Sequence, residues 1–278
     1  MDLTELIKES FVFPSNNLKQ LAIYIVFSFV ATLFTVGGIF SIIGIAYSGL
    51  IGIVSIILFI IALLVGFILS GYQISLIGSG ISQDELAPEF DYKENIVVGI
   101  KSVILKIIYL IIPALITIIV AVLTGVLRNA GEVARAAQNA ATNATTTAMA
   151  SNVTYATSIP ASTSSALFGS LTITAIVGII LFIIFGIFLL IAEARLANTD
   201  SLGEALRIGE VFNDVGRIGY GNVIATIVLV CLITVIINAI IRGLGMVIPF
   251  VGILSIIVTP YLIFFAYRAI GLLYSDIA

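Results

Sequence analysis

The chain has 278 residues, of which 60% are hydrophobic and 10% charged, and its formal net charge is −3. Soluble domains carry roughly a quarter charged residues, so this composition excludes a water-soluble protein and makes lipid the solvent of the chain. The small net charge gives no indication of nucleic acid as a partner. The chain has no His, which removes the commonest metal ligand, and the single Cys231 cannot form an internal disulfide.

Six apolar stretches are long enough to cross a bilayer, which requires about 20 helical residues. The 64 uncharged residues between Lys19 and Asp84 have room for two spans, and the Gly-rich stretch 37–52 is the natural place for the reversal. An alternative is that 37–52 is re-entrant or interfacial. The predicted fold is an all-α, polytopic transmembrane bundle forming one membrane domain over 1–278. Its predicted spans are 19–40, 50–77, 103–127, 166–192, 220–241 and 247–273.

Lys and Arg are distributed unequally between the two sides of these spans. Nine of the twelve lie on the side of the N-terminus, and only Arg128, Arg135 and Arg242 lie on the other. Because positive charge is retained in the cytoplasm, this bias predicts a multi-pass protein of the cell (plasma) membrane with both termini cytoplasmic.

The Ala/Thr-rich segment 128–165 is then extracytoplasmic. Its first part has Ala and Val at helical spacing, so the third span is expected to continue as a helix to about Ala144, followed by a loop. Asn143 and Asn152 each begin an Asn-x-Thr pattern and are possible N-glycosylation sites, although chance matches are common in such a segment.

An acidic segment precedes the third span on the inner side and contains Glu85, Glu89, Asp91 and Glu94. Carboxylates could bind a hard cation, but a solvated helix-capping face is the more common role for such a run. Asp91 and Glu94 have the spacing of a capping box, which predicts a helix that begins there. No metal site is assigned to this segment.

Residues 201–217 are predicted to form one amphipathic helix that opens with a capping box at Ser201 and Glu204. Apolar residues are expected along one face and charged residues, including Asp214, along another. Such a helix is suited to lie in the headgroup plane on the cytoplasmic side. The residues predicted to contribute to this inner-face helix are Leu202, Leu206, Arg207, Phe212 and Val215.

The sequence contains a candidate internal repeat, because Glu5, Ile7, Lys8 and Phe13 are of the same type as the residues 199 positions later. The segment before the third span agrees less closely. A threefold unit of in-plane helix plus hairpin is therefore possible, with chance similarity of apolar sequence as the alternative.

Two inner segments resemble a known family. The first is residues 84–101, DELAPEFDYKENIVVGIK, which precede a span containing Pro113, and the second is residues 204–222, EALRIGEVFNDVGRIGYGN. Both are similar to the motifs of an uncharacterised integral membrane family of archaea and bacteria, domain of unknown function 4013. The start of the chain, from Phe11 to Lys19, also fits. The resemblance implies an archaeal cell membrane and no established activity. The 128–165 insertion is unusually long for that family.

The sequence contains no recognisable catalytic, cofactor-binding or metal-binding pattern. The charges near span ends, Lys106, Glu193, Arg242 and Arg268, are expected to extend to the headgroups. Asn238 is expected to hydrogen-bond another helix. We therefore expect a non-enzymatic membrane protein with a structural or assembly role, in contact with the lipid bilayer. A membrane-protein partner or a second copy is a candidate further contact. The alternative is a transporter or channel component for a neutral or apolar solute.

Overall fold

A computed structural model describes the backbone of residues 2–44, 49–148 and 161–278 and the side chains of 2–36, 53–139, 162–248 and 250–278. All regular secondary structure in these ranges is helical. In chain order the helices are α1 (Leu3–Asn16), α2 (Leu18–Gly44), α3 (Gly49–Ile81), α4 (Tyr92–Leu123), α5 (Val126–Ala148), α6 (Ala161–Thr199), α7 (Leu202–Ala205), α8 (Ile208–Ile218), α9 (Tyr220–Val247), a 3-10 helix (Pro249–Leu254) and α10 (Ser255–Tyr274).

Six helices in the described parts of the chain are long and apolar enough to cross a membrane. They are Leu18–Val36, Ile53–Ile81, Tyr92–Leu123, Ser162–Thr199, Tyr220–Val247 and Phe250–Tyr274. The predicted all-α bundle with six spans is therefore confirmed. Many large apolar side chains on these helices are exposed, including Ile118 and Ile179. Such surfaces require lipid as their surroundings, so the chain is a multi-pass membrane protein in contact with the bilayer.

The two predicted capping residues are confirmed. The Asp91 carboxylate accepts hydrogen bonds from the backbone N–H groups of Lys93 and Glu94 at 3.0 and 3.1 Å, and α4 begins there. The Ser201 hydroxyl accepts from the Glu204 N–H at 3.4 Å and starts α7. Each side chain satisfies a donor that the first helical turn leaves without a partner.

Two expectations about helix continuity are wrong. The segment 201–217 is divided into α7 and α8, since Arg207 has a non-helical backbone conformation between them. The third span does not continue as one helix, because Gly125 has φ of +77° and ends α4 before α5 begins. Only glycine adopts this conformation without strain. The helix α5 itself extends to Ala148, past the expected start of a loop.

The chain forms two compact units: unit 1 comprises Met1–Ile107 with Ile187–Ala278, and unit 2 comprises Ile108–Gly186. The main core of unit 1 is aromatic. Tyr72 stacks on Phe90 with ring centroids 3.8 Å apart, and Tyr24 meets Phe264 edge-on. The buried members of this core are Phe13, Leu21, Tyr24, Tyr72, Leu76, Ala87 and Phe264.

Glycines allow close helix crossings in unit 1. A Cβ at Gly71 would overlap the backbone of Asn95, and a Cβ at Gly99 would overlap the Phe67 carbonyl, so α3 and α4 are in backbone contact. Gly80 and Gly271 also allow a close approach of α3 and α10. Small residues are the usual means of such packing in lipid. In unit 2, the Thr124 and Thr174 hydroxyls are hydrogen-bonded at 3.0 Å.

Candidate functional site

Charged side chains are buried in unit 1 in three groups that the structure describes. The first is centred on Glu193 of α6, whose side chain is 1% exposed. Its carboxylate accepts a hydrogen bond from the Ser102 hydroxyl at 3.1 Å and pairs with the Lys106 ammonium at 3.1 Å. Lys106 also donates to the Gln73 carbonyl oxygen at 3.5 Å, and the Gln73 amide donates to the Tyr24 hydroxyl at 2.8 Å. This network joins α2, α3, α4 and α6.

The second group is centred on Arg268 of α10, which is 1% exposed. One guanidinium nitrogen donates to the Ser79 carbonyl at 2.6 Å, and another donates to the Glu9 carboxylate at 2.7 Å. The guanidinium carbon lies 4.4 Å from the centre of the Phe13 ring, in a cation–π contact. The remaining Nε–H is buried and has no hydrogen-bond partner among the described residues.

These two groups correct the expectation that charges near span ends extend to the headgroups. Glu193 and Arg268 are buried in protein and paired there, while Lys106 is partly buried and Arg242 is exposed. A buried charge requires a partner, because desolvation of an isolated ion costs several kcal/mol. Glu9 lies 259 positions from Arg268, and that distance is why no local sequence pattern revealed the pair.

The third group is centred on Asp214 of α8, which is 2% exposed. Its carboxylate pairs with Arg195 at 2.8 Å, accepts a hydrogen bond from the Tyr274 hydroxyl at 2.8 Å, and lies 3.7 Å from Arg217. Arg195 also pairs with Glu204 at 3.1 Å. Asp214 was predicted on an exposed charged face, and its burial corrects that assignment. The group joins α6, α7, α8 and the end of α10.

The sequence of residues 53–250 matches the family described as protein of unknown function (DUF4013). This range is more than two thirds of the chain. The chain belongs to this family. The match includes both inner segments on which the resemblance was based, and Phe11 to Lys19 lies outside it. No curated protein and no solved structure matches the chain significantly.

In this DUF4013 protein the residues predicted for the inner-face helix are distributed over different environments. Val215 is buried, Leu202 and Leu206 are half-buried, and Arg207 is exposed. Phe212 is 50% exposed, with its ring centroid 5.9 Å from that of Phe188. The buried face of α8 is instead formed by Val211, Asp214, Val215 and Ile218.

The acidic residues Glu85, Glu89, Asp91 and Glu94 of the DUF4013 protein are all exposed. Side chains of the neighbouring elements hold the backbone of this segment. The side-chain amide oxygen of Asn17 accepts from the Ala87 N–H at 2.7 Å, and the Tyr72 hydroxyl donates to the Pro88 carbonyl at 3.0 Å. In the part of the chain whose side chains are described, no group of three or more acidic residues or Cys is arranged to hold a metal ion.

Two clefts lie beside buried charged groups, and a third lies beside Asn238, which was expected to hydrogen-bond another helix. A cleft of about 800 Å³ is bordered by Arg268, and one of about 590 Å³ by Arg195 and Asp214. A third, of about 450 Å³, is bordered by Asn238. The Asn238 amide donates to the Thr234 carbonyl of its own helix at 2.9 Å, which differs from the expected bond between helices.

The possible glycosylation residues Asn143 and Asn152 lie outside the described side chains.

Proposed function

We propose that this DUF4013 protein is a non-enzymatic integral membrane protein with a structural or assembly role in the cell membrane. The observation that supports this most strongly is that the charge of each buried group is neutralised inside unit 1. Glu193 is paired with Lys106, Asp214 with Arg195, and Arg268 with Glu9. These contacts join different helices of unit 1, which is the role expected of a rigid scaffold.

The same contacts argue against catalysis by the buried carboxylates. A general base must come within hydrogen-bond reach of the proton that it takes from a substrate. Glu193 and Asp214 are only 1% and 2% exposed, and each is ion-paired within unit 1, so little of either carboxylate is accessible to a substrate. The side chains therefore stabilise the fold through their charges.

We further propose that both termini and the helices α1, α7 and α8 face the cytoplasm. The excess of Lys and Arg on this side supports that orientation. α8 exposes Ile208, Phe212 and the adjacent Tyr220, which are 43%, 50% and 48% exposed, beside charged residues. An amphipathic surface of this kind is suited to the headgroup plane and to a membrane-protein partner.

A site-specific photocrosslinker distinguishes a partner surface from a lipid-facing one. Phe212 on α8 and Phe29 on α2 are both 50% exposed and serve as a matched pair. In intact membranes, a photoreactive residue at 212 should give a discrete protein adduct, either with a second copy or with another membrane protein. The residue at 29 should label lipid only. No protein adduct at 212, or equal adducts at both positions, would contradict the assembly role.

A second candidate function is transport of a neutral small solute. It is favoured by the 450 Å³ cleft, which is bordered by Asn238, Ser255 and Thr259 and so presents an amide and two hydroxyls. The purified chain in liposomes should decide between the two. The structural role predicts glycerol and urea permeation at the rate of protein-free liposomes. Saturable flux that is lost in Asn238→Leu would establish the second candidate instead.

A further inference from the structure

The cleft beside Arg268 is built from three parts of unit 1. Part of its lining comes from α1, which contributes Glu5 and Lys8, and another part comes from the segment after α3, which contributes Glu85. Phe13 and Arg268 also line it, and both are buried. Its volume of about 800 Å³ lies in the range of small-molecule sites, roughly 300–1,000 Å³.

The cleft lies where spans end. Residues of α1 precede the span Leu18–Val36, the segment with Glu85 follows the span Ile53–Ile81, and Arg268 is close to the end of the span Phe250–Tyr274. Span ends meet the headgroup region of a bilayer. A lipid headgroup can therefore reach this cleft from the surrounding leaflet.

The charges of the cleft favour an ammonium group. The Arg268 guanidinium is already neutralised by Glu9 at 2.7 Å. This leaves the carboxylates of Glu5 and Glu85 facing the single ammonium of Lys8, and all three side chains are exposed. The lining of the cleft thus has one carboxylate more than it has cations, and that carboxylate can pair with a ligand ammonium.

Two further features of the cleft favour a ligand that has an acceptor oxygen and an apolar part in addition to an ammonium. The Nε–H of Arg268 is buried and finds no acceptor in the part of the chain that the structure describes, and an unsatisfied buried donor favours a ligand oxygen. The cleft is also bordered by Val12 and Leu86, which are 44% and 72% exposed although apolar. Exposed apolar side chains beside a charged cleft are suited to the first part of an alkyl chain.

We propose that this cleft binds the zwitterionic headgroup of an aminophospholipid, with the ammonium at Glu5 and Glu85 and a phosphate oxygen at Lys8 and Arg268. The proposal goes beyond the structural role, which requires no bound headgroup. Its failure would leave the crosslinking and flux results unaffected.

The test is a binding titration on the full purified chain in detergent, with short-chain phosphatidylethanolamine and phosphatidylglycerol of the same acyl length. Phosphatidylglycerol has the phosphate and lacks the ammonium. We expect phosphatidylethanolamine to bind about tenfold more tightly, since a charge-assisted hydrogen bond contributes roughly that factor. Equal affinity for the two lipids, or no binding of either, would overturn the proposal.

Matched variants test the assigned carboxylate. Glu85→Gln should weaken phosphatidylethanolamine binding by about tenfold, because it removes a partner of the ammonium. Glu89→Gln, in the same exposed segment but outside the cleft, should leave it unchanged. Glu85→Asp should restore most of the affinity, which excludes misfolding as the cause. Equal effects of Glu85→Gln and Glu89→Gln would refute the assignment.

Soluble phosphoethanolamine distinguishes the two possible sources of the headgroup. If the lipid is the ligand, phosphoethanolamine should compete weakly, and Leu86→Ala should weaken lipid binding. If phosphoethanolamine binds as tightly as the lipid, the cleft recognises the same headgroup chemistry in a soluble molecule, and the proposal that its ligand is a lipid is wrong.

Discussion

The pair of Glu193 and Lys106 gives the sharpest test of how unit 1 is held together. Glu193→Gln keeps the size of the side chain and an oxygen that can accept from Ser102, which lies 3.1 Å away. It removes the negative charge and leaves the Lys106 ammonium, 27% exposed, without its counter-ion. Removing one partner of a buried pair costs roughly 3–5 kcal/mol. Because Lys106 is partly exposed, we expect a value near the lower limit, about 3 kcal/mol.

The assay is reversible unfolding of the purified chain in mixed micelles, measured as the change in the free energy of unfolding. The double variant Glu193→Gln with Lys106→Met should recover most of the loss, since it removes the uncompensated cation as well. Glu89→Gln is the exposed control and should change the free energy by less than about 0.5 kcal/mol. A loss below about 1 kcal/mol in Glu193→Gln, or no recovery in the double variant, would refute the reasoning.

Two further predictions concern local packing and capping. In the same unfolding assay, Gly99→Ala should destabilise the chain by about 1–3 kcal/mol or more, because the new Cβ would overlap the Phe67 carbonyl. The control Gly66→Ala should be neutral or slightly stabilising, because no atom lies within 4 Å of the new Cβ. Asp91→Ala should cost about 1 kcal/mol through loss of the α4 cap, and Glu89→Ala should cost nothing measurable; equal effects would contradict the capping role.

The sequence was sufficient to predict the class of fold because span length and apolar composition are local properties. The six spans are confirmed for that reason. The caps at Asp91 and Ser201 are confirmed because each depends on residues within one turn of a helix. The break at Gly125 was missed because a glycine within an apolar run is compatible with a helix, and only the backbone conformation shows that the chain turns there. The in-plane position of α8 and the threefold repeat stay predictions.

The candidate site was less predictable because its partners come from distant parts of the chain. Glu193 lies 91 positions from Ser102, so no spacing rule could indicate the bond. Glycine spacing was equally uninformative about crossings. Gly66 and Ser70 have the four-residue spacing typical of a helix contact, yet Gly66 faces open space, and Gly71 makes the close approach. Which glycine meets a neighbour depends on the tertiary arrangement.

The measurement that tests the central claim most directly is cysteine labelling in intact cells. In a Cys231→Ser background, single cysteines replace the exposed residues Glu89 and Glu132, which lie on opposite sides of the membrane in the proposed orientation. A membrane-impermeant maleimide should label position 132 in intact cells and position 89 only after permeabilisation. Labelling of position 89 in intact cells with protection of position 132, or labelling of both, would contradict the proposed membrane orientation.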